Sequence, residues 1–304
     1  SRVRKTMDSA MISDKRGTLV VVAGPTGSGK TEVGVELARR LGAPIISTDS
    51  RQVFRGMAVG TAQPSAEQQA AALHYFIADR EVSDDYNAGR FEAEALELLD
   101  RLFVTHDYVL AVGGSGLYID ALCHGFDAQL EARLREEGLG SLLEELRRFD
   151  PVYYESVDRS NPSRVLRAVE VCIQTGRPYS EQRSGEPRER PFRILKIGIK
   201  VGREELYGRI DRRVDGMLAS GLEEEARRLW PLRGLNALMT VGYREMFDYF
   251  DGKITYDEAV RLIKRNSRRY AKRQMTWFRR DAEMVWFGRD EIKMMENFCK
   301  KFAE

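Results

Sequence analysis

The stretch Thr18–Thr31 reads TLVVVAGPTGSGKT. Its first six residues are a short apolar run rich in β-branched side chains, the signature of a buried strand. The next eight, Gly24-Pro25-Thr26-Gly27-Ser28-Gly29-Lys30-Thr31, match G-x-x-x-x-G-K-[ST] and lead into a helical stretch ending at Leu41. Glycines at these positions let the backbone curl so that successive N–H groups point at phosphate oxygens, and the helix N-terminus adds its partial positive charge. Lys30 supplies a mobile cation and the Thr31 hydroxyl a place for Mg2+. Strand, loop and helix together predict a phosphate-gripping loop with Gly24, Thr26, Gly27, Ser28, Gly29, Lys30 and Thr31 on the phosphates.

Working outward, Pro44–Thr48 (PIIST) and Tyr108–Val112 (YVLAV) read as further buried strands, with an amphipathic stretch between them from Ala88 to Phe103. Continuous apolar strands separated by helices predict a parallel sheet covered on both faces. From about Asp120 the pattern changes. Residues 129–180 are helical in character, with Leu130, Leu134, Leu142, Leu143 and Leu146 on one face, and Ile194–Val201 (ILKIGIKV) then returns to strand. Residues 203–280 are helical again, Val285–Phe287 is a last short strand, and an amphipathic helix closes the chain. The fold class is therefore α/β, a P-loop NTPase-like parallel sheet core over 17–122 and 192–290 with an inserted helical domain over 123–191. Residues 1–16 read as a flexible tail. Arg183–Pro191 (RSGEPRERP) is a loop by composition, and the turn over Phe126–Gln129 is abrupt.

The loop alone does not name a reaction. A P-loop ATPase or GTPase has a second acidic residue ending an apolar strand, to organise Mg2+ and water. The Tyr108–Val112 strand ends instead in Gly113-Gly114-Ser115-Gly116, whereas Pro44–Thr48 ends in Ser47-Thr48-Asp49-Ser50. Strand ends at the carboxyl edge of such a sheet gather at the ligand crevice, so Asp49 and Ser115 are expected to face the phosphate site. Asp49 has three readings at this point: a metal-organising carboxylate, a general base for an incoming nucleophile, or a helix N-cap. His74 reads as a structural hydrogen-bonder, and His106 and His124 lack metal-ligand spacing.

The chain has 304 residues, 42% of them hydrophobic, and a formal charge of +2. That excludes a polycation, a disordered chain and a disulfide-stapled miniprotein. The average hides a patch. Arg261–Arg280 (RLIKRNSRRYAKRQMTWFRR) holds nine basic residues and no acidic one, so the rest of the chain carries −7. Arg261, Arg265, Arg268 and Lys272 recur at helical spacing, with Tyr270, Trp277 and Phe278 interleaved, and Arg164 and Arg167 extend the charge. Guanidinium rows with aromatics suit a phosphate backbone and stacked bases, which points to a nucleic acid as second substrate. Cys123, Cys172 and Cys299 lie far apart, without a metal-binding pair, and favour a reducing compartment. No apolar h-region and no span of about 20 apolar residues is present, so a cytoplasmic protein without a membrane anchor is expected. Nothing in the sequence requires more than a monomer.

Six motifs in order resemble one family, the tRNA dimethylallyltransferases (bacterial tRNA isopentenyltransferases): GPTGSGKT at 24–31, STDSRQVFRGMAVGTAQP at 47–64, VGGSGLYIDAL at 112–122, NPSRVLRAVEV at 161–171, LNALMTVGYREMF at 235–247 and KRQMTWFR at 272–279. The resemblance implies prenyl transfer from dimethylallyl diphosphate to N6 of the adenosine 3′ to the anticodon, with Mg2+ as cofactor. It implies that Asp49 is the base, that Ser115 donates to the departing oxygen, and that Arg213 is a further phosphate-binding arginine. It places Asp49, Ser50, Arg51, Gln52, Ser163, Arg164, Val165, Leu166, Arg167, Met239, Thr240, Val241, Gly242, Tyr243, Arg244, Lys272, Arg273, Gln274, Trp277 and Arg279 on the anticodon stem-loop of tRNA. The inserted domain would close over that stem. Phe54 stands where the family often has Tyr, Ser115 where Thr is common, and the linker from Leu122 to Leu130 is short. A P-loop kinase with a small acceptor would leave the 261–280 row without a task. An RNA-stimulated ATPase would need the strand-end carboxylate that Gly113–Gly116 lacks.

Overall fold

The computed structural model describes residues 15–125, 128–175, 178–181 and 190–303. Outside these lie the expected tail up to residue 14, residues 126–127 of the abrupt turn and residues 182–189 of the Arg-rich loop. Two compact units emerge. One comprises residues up to 85, 99–116 and 191 onward; the other comprises 86–98 and 117–190. The second unit thus takes in residues 86–98, part of the amphipathic stretch that alternates with the strands in sequence.

The first unit holds six parallel strands, β1 Thr18–Ala23, β2 Ile45–Ser47, β3 His74–Tyr75, β4 Tyr108–Gly113, β5 Arg193–Lys200 and β6 Met284–Gly288, in the order β3-β2-β4-β1-β5-β6. In chain order the helices are α1 Lys30–Leu41, α2 Ala66–Ala71, α3 Ala88–Leu102, α4 Gly116–His124, α5 Ala128–Phe149, α6 Pro151–Ser156, α7 Pro162–Thr175, α8 Arg203–Ala219, α9 Leu222–Leu229, α10 Tyr243–Phe250, α11 Tyr256–Arg279 and α12 Ile292–Ala303.

β1 lies inside the sheet and every one of its residues is buried, which is why its sequence is apolar without alternation. Val20 and Val22 pack with Val33, Leu37 and Ala38 of α1 and Met295 and Cys299 of α12. Gly42, at φ 61°, ends α1 by donating its N–H to the Ala38 and Arg39 carbonyls. Register sets up the site. Ala23 stands opposite Gly113 on one side and Gly198 on the other, and Ser47 opposite Val112. The segments following β1, β2 and β4 therefore leave the sheet at one level, at its carboxyl edge.

In the second unit, Leu142 and Leu146 of α5 pack against Val165, Leu166, Ala168 and Val169 of α7, with Leu143 at the margin. Gly138 takes φ 79° and ψ 165°, so α5 is broken in two where the sequence reads as one amphipathic stretch. The buried Asp150 caps α6, accepting from the Tyr153 N–H at 3.0 Å, and also accepts from the Ser180 N–H at 2.6 Å and its hydroxyl at 2.8 Å. Arg190 pairs with the buried Glu92 at 3.0 Å and donates to the Leu122 and Ala121 carbonyls at 3.0 and 3.1 Å. Five donors on one rigid fork suit a carboxylate and two carbonyls at once.

Candidate active site

The phosphate loop leaves β1 at Ala23 and enters α1 at Lys30. Gly27 and Gly29 adopt φ 78° and 86°, the left-handed region that side chains disfavour. A Cβ at Gly27 would also lie 2.9 Å from Ile210 of α8. That helix covers the loop: Leu206 and Ile210 are buried, and Arg209, one residue before Ile210, donates its Nε–H to the Gly27 carbonyl at 2.7 Å. Arg213, one turn further along the same helix, lies close enough to Lys30, Glu32 and Asp49 for their charges to act on it.

Three polar atoms here are buried without a hydrogen-bond partner among the described residues: Ser28 Oγ, Thr48 Oγ1 and Arg213 Nε. A native interior almost always satisfies such groups, so they mark a place built for a polar ligand. Lys30 is also buried and donates to the Pro25 carbonyl at 3.3 Å. Burial, and then the Arg213 guanidinium, push its ammonium down to about 8, against the pull of Asp49 and Glu32. Burial likewise lowers Arg213, with Glu32 and Asp49 opposing. Two desolvated cations facing each other favour an anion between them.

The end of β2 is locked to the end of β4. The Thr48 N–H donates to the Val112 carbonyl at 2.9 Å, and the Ser115 N–H to the Thr48 carbonyl at 3.4 Å. Asp49 Oδ1 accepts the N–H groups of Arg51 at 2.8 Å and Gln52 at 3.1 Å. Asp49 therefore caps a turn, not the helix that one of its three readings expects, and that bonding fixes where the carboxylate stands. It lines one cleft with Lys30, Thr31, Pro64, His74 and Val112. His74 lies on β3 itself, with Nδ1 2.7 Å from the Ala72 carbonyl, and also borders this cleft.

Residues expected on RNA divide by position. Ser50 and Arg51 are half-buried beside Asp49. Gln52 is interior: Oε1 accepts the Ser47 hydroxyl at 3.2 Å, and Nε2 donates to the Thr61 and Ala62 carbonyls, each at 3.1 Å. Tyr243 is fully buried and donates its hydroxyl to the buried Glu225 at 2.8 Å, a carboxylate that also accepts the Val59 and Gly60 N–H groups. Met239 and Arg244 are exposed, Thr240 and Val241 half-buried, and Gly242 buried. In the second unit, Ser163–Arg167 open α7; the Val165 and Leu166 side chains are in the core, Arg167 is half-buried and Arg164 is exposed.

On α11, Lys272, Arg273 and Arg279 are exposed, Trp277 is half-buried and Gln274 is buried. Part of the expected basic row has acidic partners: Arg261 binds Glu258 at 2.6 Å, Lys264 binds Asp215 at 2.8 Å and Arg268 binds Asp211 at 2.5 Å, the last two on α8. Lys264 and Arg268 thus stitch α8 to α11, while the Arg261–Glu258 pair lies within α11; the exposed cations of the row outside these pairs are Arg269, Lys272, Arg273 and Arg279.

The model of the IPP transferase family matches residues 52–281. A tRNA dimethylallyltransferase of Porphyromonas gingivalis is 54% identical over 280 residues, covering 89% of this chain and 93% of that protein. Another, of Parabacteroides distasonis, is 49% identical, covering 91% and 96%. The chain belongs to the IPP transferase family. Among solved structures, the tRNA isopentenylpyrophosphate transferase of Bacillus halodurans superposes with a TM-score of 0.71 at 36% identity, covering 95% of this chain and 97% of that one.

For an IPP transferase, three residues beyond the motif reading stand out. Arg209 bonds the phosphate loop directly. Arg289, paired with Glu205 at 2.8 Å, runs beside Gly29. Tyr270 is 37% exposed and lies within electrostatic reach of Asp49; desolvation of its phenol and then that carboxylate raise it, while Arg51 and Arg273 pull it down. Arg209 had a signal in the sequence, since it falls four residues before Arg213 on a helical repeat; Arg289 had none.

Proposed function

We propose that this chain transfers a dimethylallyl group from dimethylallyl diphosphate to the exocyclic N6 of the adenosine 3′ to the anticodon of a tRNA, releasing diphosphate. The observation that carries the reading is the cleft in which the Asp49 carboxylate meets Lys30 and Thr31 of the phosphate loop. The allylic C1–O bond breaks and its electron pair leaves with the diphosphate. The C1–N6 bond forms, and the N6 proton passes to Asp49. An adenine amine is a poor nucleophile because its lone pair is delocalised into the ring; a carboxylate accepting its N–H orients it and removes the proton as the bond forms. Loop amides, Lys30, Arg213 and the Ser28 hydroxyl take the charge that grows on the leaving group, with Ser115 donating to the departing oxygen. Water activation has no part in this chemistry, which suits a β4 that ends at Gly113 and is followed by Gly114 and Ser115, with no carboxylate.

Among the described residues no group of three or more His, Cys, Asp or Glu side chains could hold a metal by itself. An octahedral ion that keeps most of its waters needs only an oxygen or two from the protein, and Thr31 on the cleft wall fits that share beside the phosphate oxygens. Bound there, Mg2+ would supply further positive charge to the departing diphosphate. All the reacting groups come from one chain, so one copy working in the cytoplasm, where tRNA is, suffices. No helix of the described residues is long and apolar enough to cross a membrane.

Incubation with labelled dimethylallyl diphosphate, Mg2+ and unmodified tRNA is expected to label the RNA, and an unlabelled RNA would overturn the reading. Within it, the exposed cations of α11 bind phosphates. The double variant Lys272→Ala, Arg273→Ala is expected to weaken tRNA binding and to flatten the slope of log K against log salt by about 1.5, leaving the donor KM unchanged. Arg261→Ala, which removes a cation already paired with Glu258, is the control and should move neither quantity.

A further inference from the structure

Gln274 is buried at 7% exposure on a helix whose neighbouring positions 272 and 273 are exposed. Its Oε1 accepts the Thr26 N–H at 2.9 Å, and its Nε2 donates to the Gly114 carbonyl at 2.9 Å. The orientation of the amide is dictated, because Thr26 offers only a donor and Gly114 only an acceptor. A Cβ at Gly114 would collide with this amide, so the glycine is what lets the turn after β4 come so close. One side chain thus bridges the third residue of the phosphate loop and the residue immediately before Ser115.

From this juxtaposition we infer that Gln274 is a positioning residue of the diphosphate site and not an RNA contact. Two consequences follow from the geometry. The Thr26 N–H is committed to Gln274 and the Ser28 N–H to the Pro25 carbonyl at 3.1 Å, so the loop amides left for phosphate are those of Gly27 and of Gly29 onward. The spacing between the loop that grips the diphosphate and the serine expected at its departing oxygen is set by one amide held from both ends. Without it, each segment keeps its own strand but loses the tie across the mouth of the site, next to a loop that carries two residues at positive φ. The naming of the anion as the leaving group rests on the prenyl-transfer reading; the brace itself does not.

The test uses Gln274→Met, which keeps length and apolar bulk and removes both hydrogen bonds, and Gln274→Glu, which keeps the acceptor for Thr26 and turns the donor facing Gly114 into a second acceptor. Inorganic diphosphate binding by calorimetry, without RNA, is expected to weaken about tenfold or more in both variants. The KM for dimethylallyl diphosphate should rise in parallel, while tRNA affinity stays within about twofold, too small a change for a lost base or phosphate contact. Weakened tRNA affinity with diphosphate binding intact would overturn the inference. So would diphosphate and tRNA affinities falling together with the melting temperature, the mark of a merely structural residue. If wild-type protein binds diphosphate but never labels tRNA, the prenyl-transfer reading fails while the brace is still tested by calorimetry.

Discussion

Asp49→Asn is expected to lose about 10²-fold or more in turnover while binding tRNA and melting like the parent protein. The substitution is chosen by the geometry. Asp49 Oδ1 accepts from the Arg51 and Gln52 N–H groups, and an asparagine keeps that acceptor while losing the ability to take a proton. Alanine would remove both functions at once and add the loss of a cap, about 1 kcal/mol in stability, which blurs the result. The pair separates the three readings of this residue. A pure cap leaves Asn fully active and makes Ala alone unstable. A metal organiser shows an Asn variant restored by excess Mg2+. A base shows an Asn variant that binds both substrates and does not turn over, at any Mg2+ concentration. Single-turnover rates with labelled donor, measured beside tRNA affinity, distinguish them, and an Asn variant as fast as the parent would remove Asp49 from the chemistry.

What could be read from the sequence was local. β1, the phosphate loop and α1 form one contiguous signal, and β2 and β4 announce themselves by runs too apolar to lie on a surface, whereas the two half-buried residues of β3 do not. What could not be read depends on partners far away in the chain. The 261–280 row looked like a single charged face because helical spacing reveals which residues share a face and not what covers it. Asp211 and Asp215, some fifty residues upstream, take Arg268 and Lys264 into a helix–helix seam. The near-neutral +2 therefore hides an exposed patch smaller than the count of nine cations suggests. The same limit applies inside the motifs. Val165, Leu166 and Tyr243 share motif stretches with the exposed Arg164 and Arg244, and Gln52 shares one with the half-buried Arg51, but all four are interior. A motif records that residues are needed together; whether a given one touches RNA or holds the one that does is decided by burial. Gln274 is the sharpest case, since both of its partners lie more than 150 residues away in sequence.

Lys30→Met should cost about 10²–10³-fold in kcat/KM for the donor and should also change how the reaction responds to pH. In the free protein burial and Arg213 hold the Lys30 ammonium at about 8. A bound diphosphate supplies the missing counter-charge and raises that value, so the ligand prefers the protonated lysine. The sign follows. Below about 8 Lys30 is already protonated, and donor affinity is flat with pH; above it binding must take up a proton, and affinity falls by up to tenfold per unit until the raised value of the complex is reached. Methionine has similar length and no charge, so the variant loses both the attraction and the titration. Its donor affinity is weak at every pH, and its profile stays level where the parent's declines. Calorimetric binding of diphosphate on either side of pH 8 reads both effects without requiring turnover. A methionine variant that declines as the parent does would place the titrating group elsewhere.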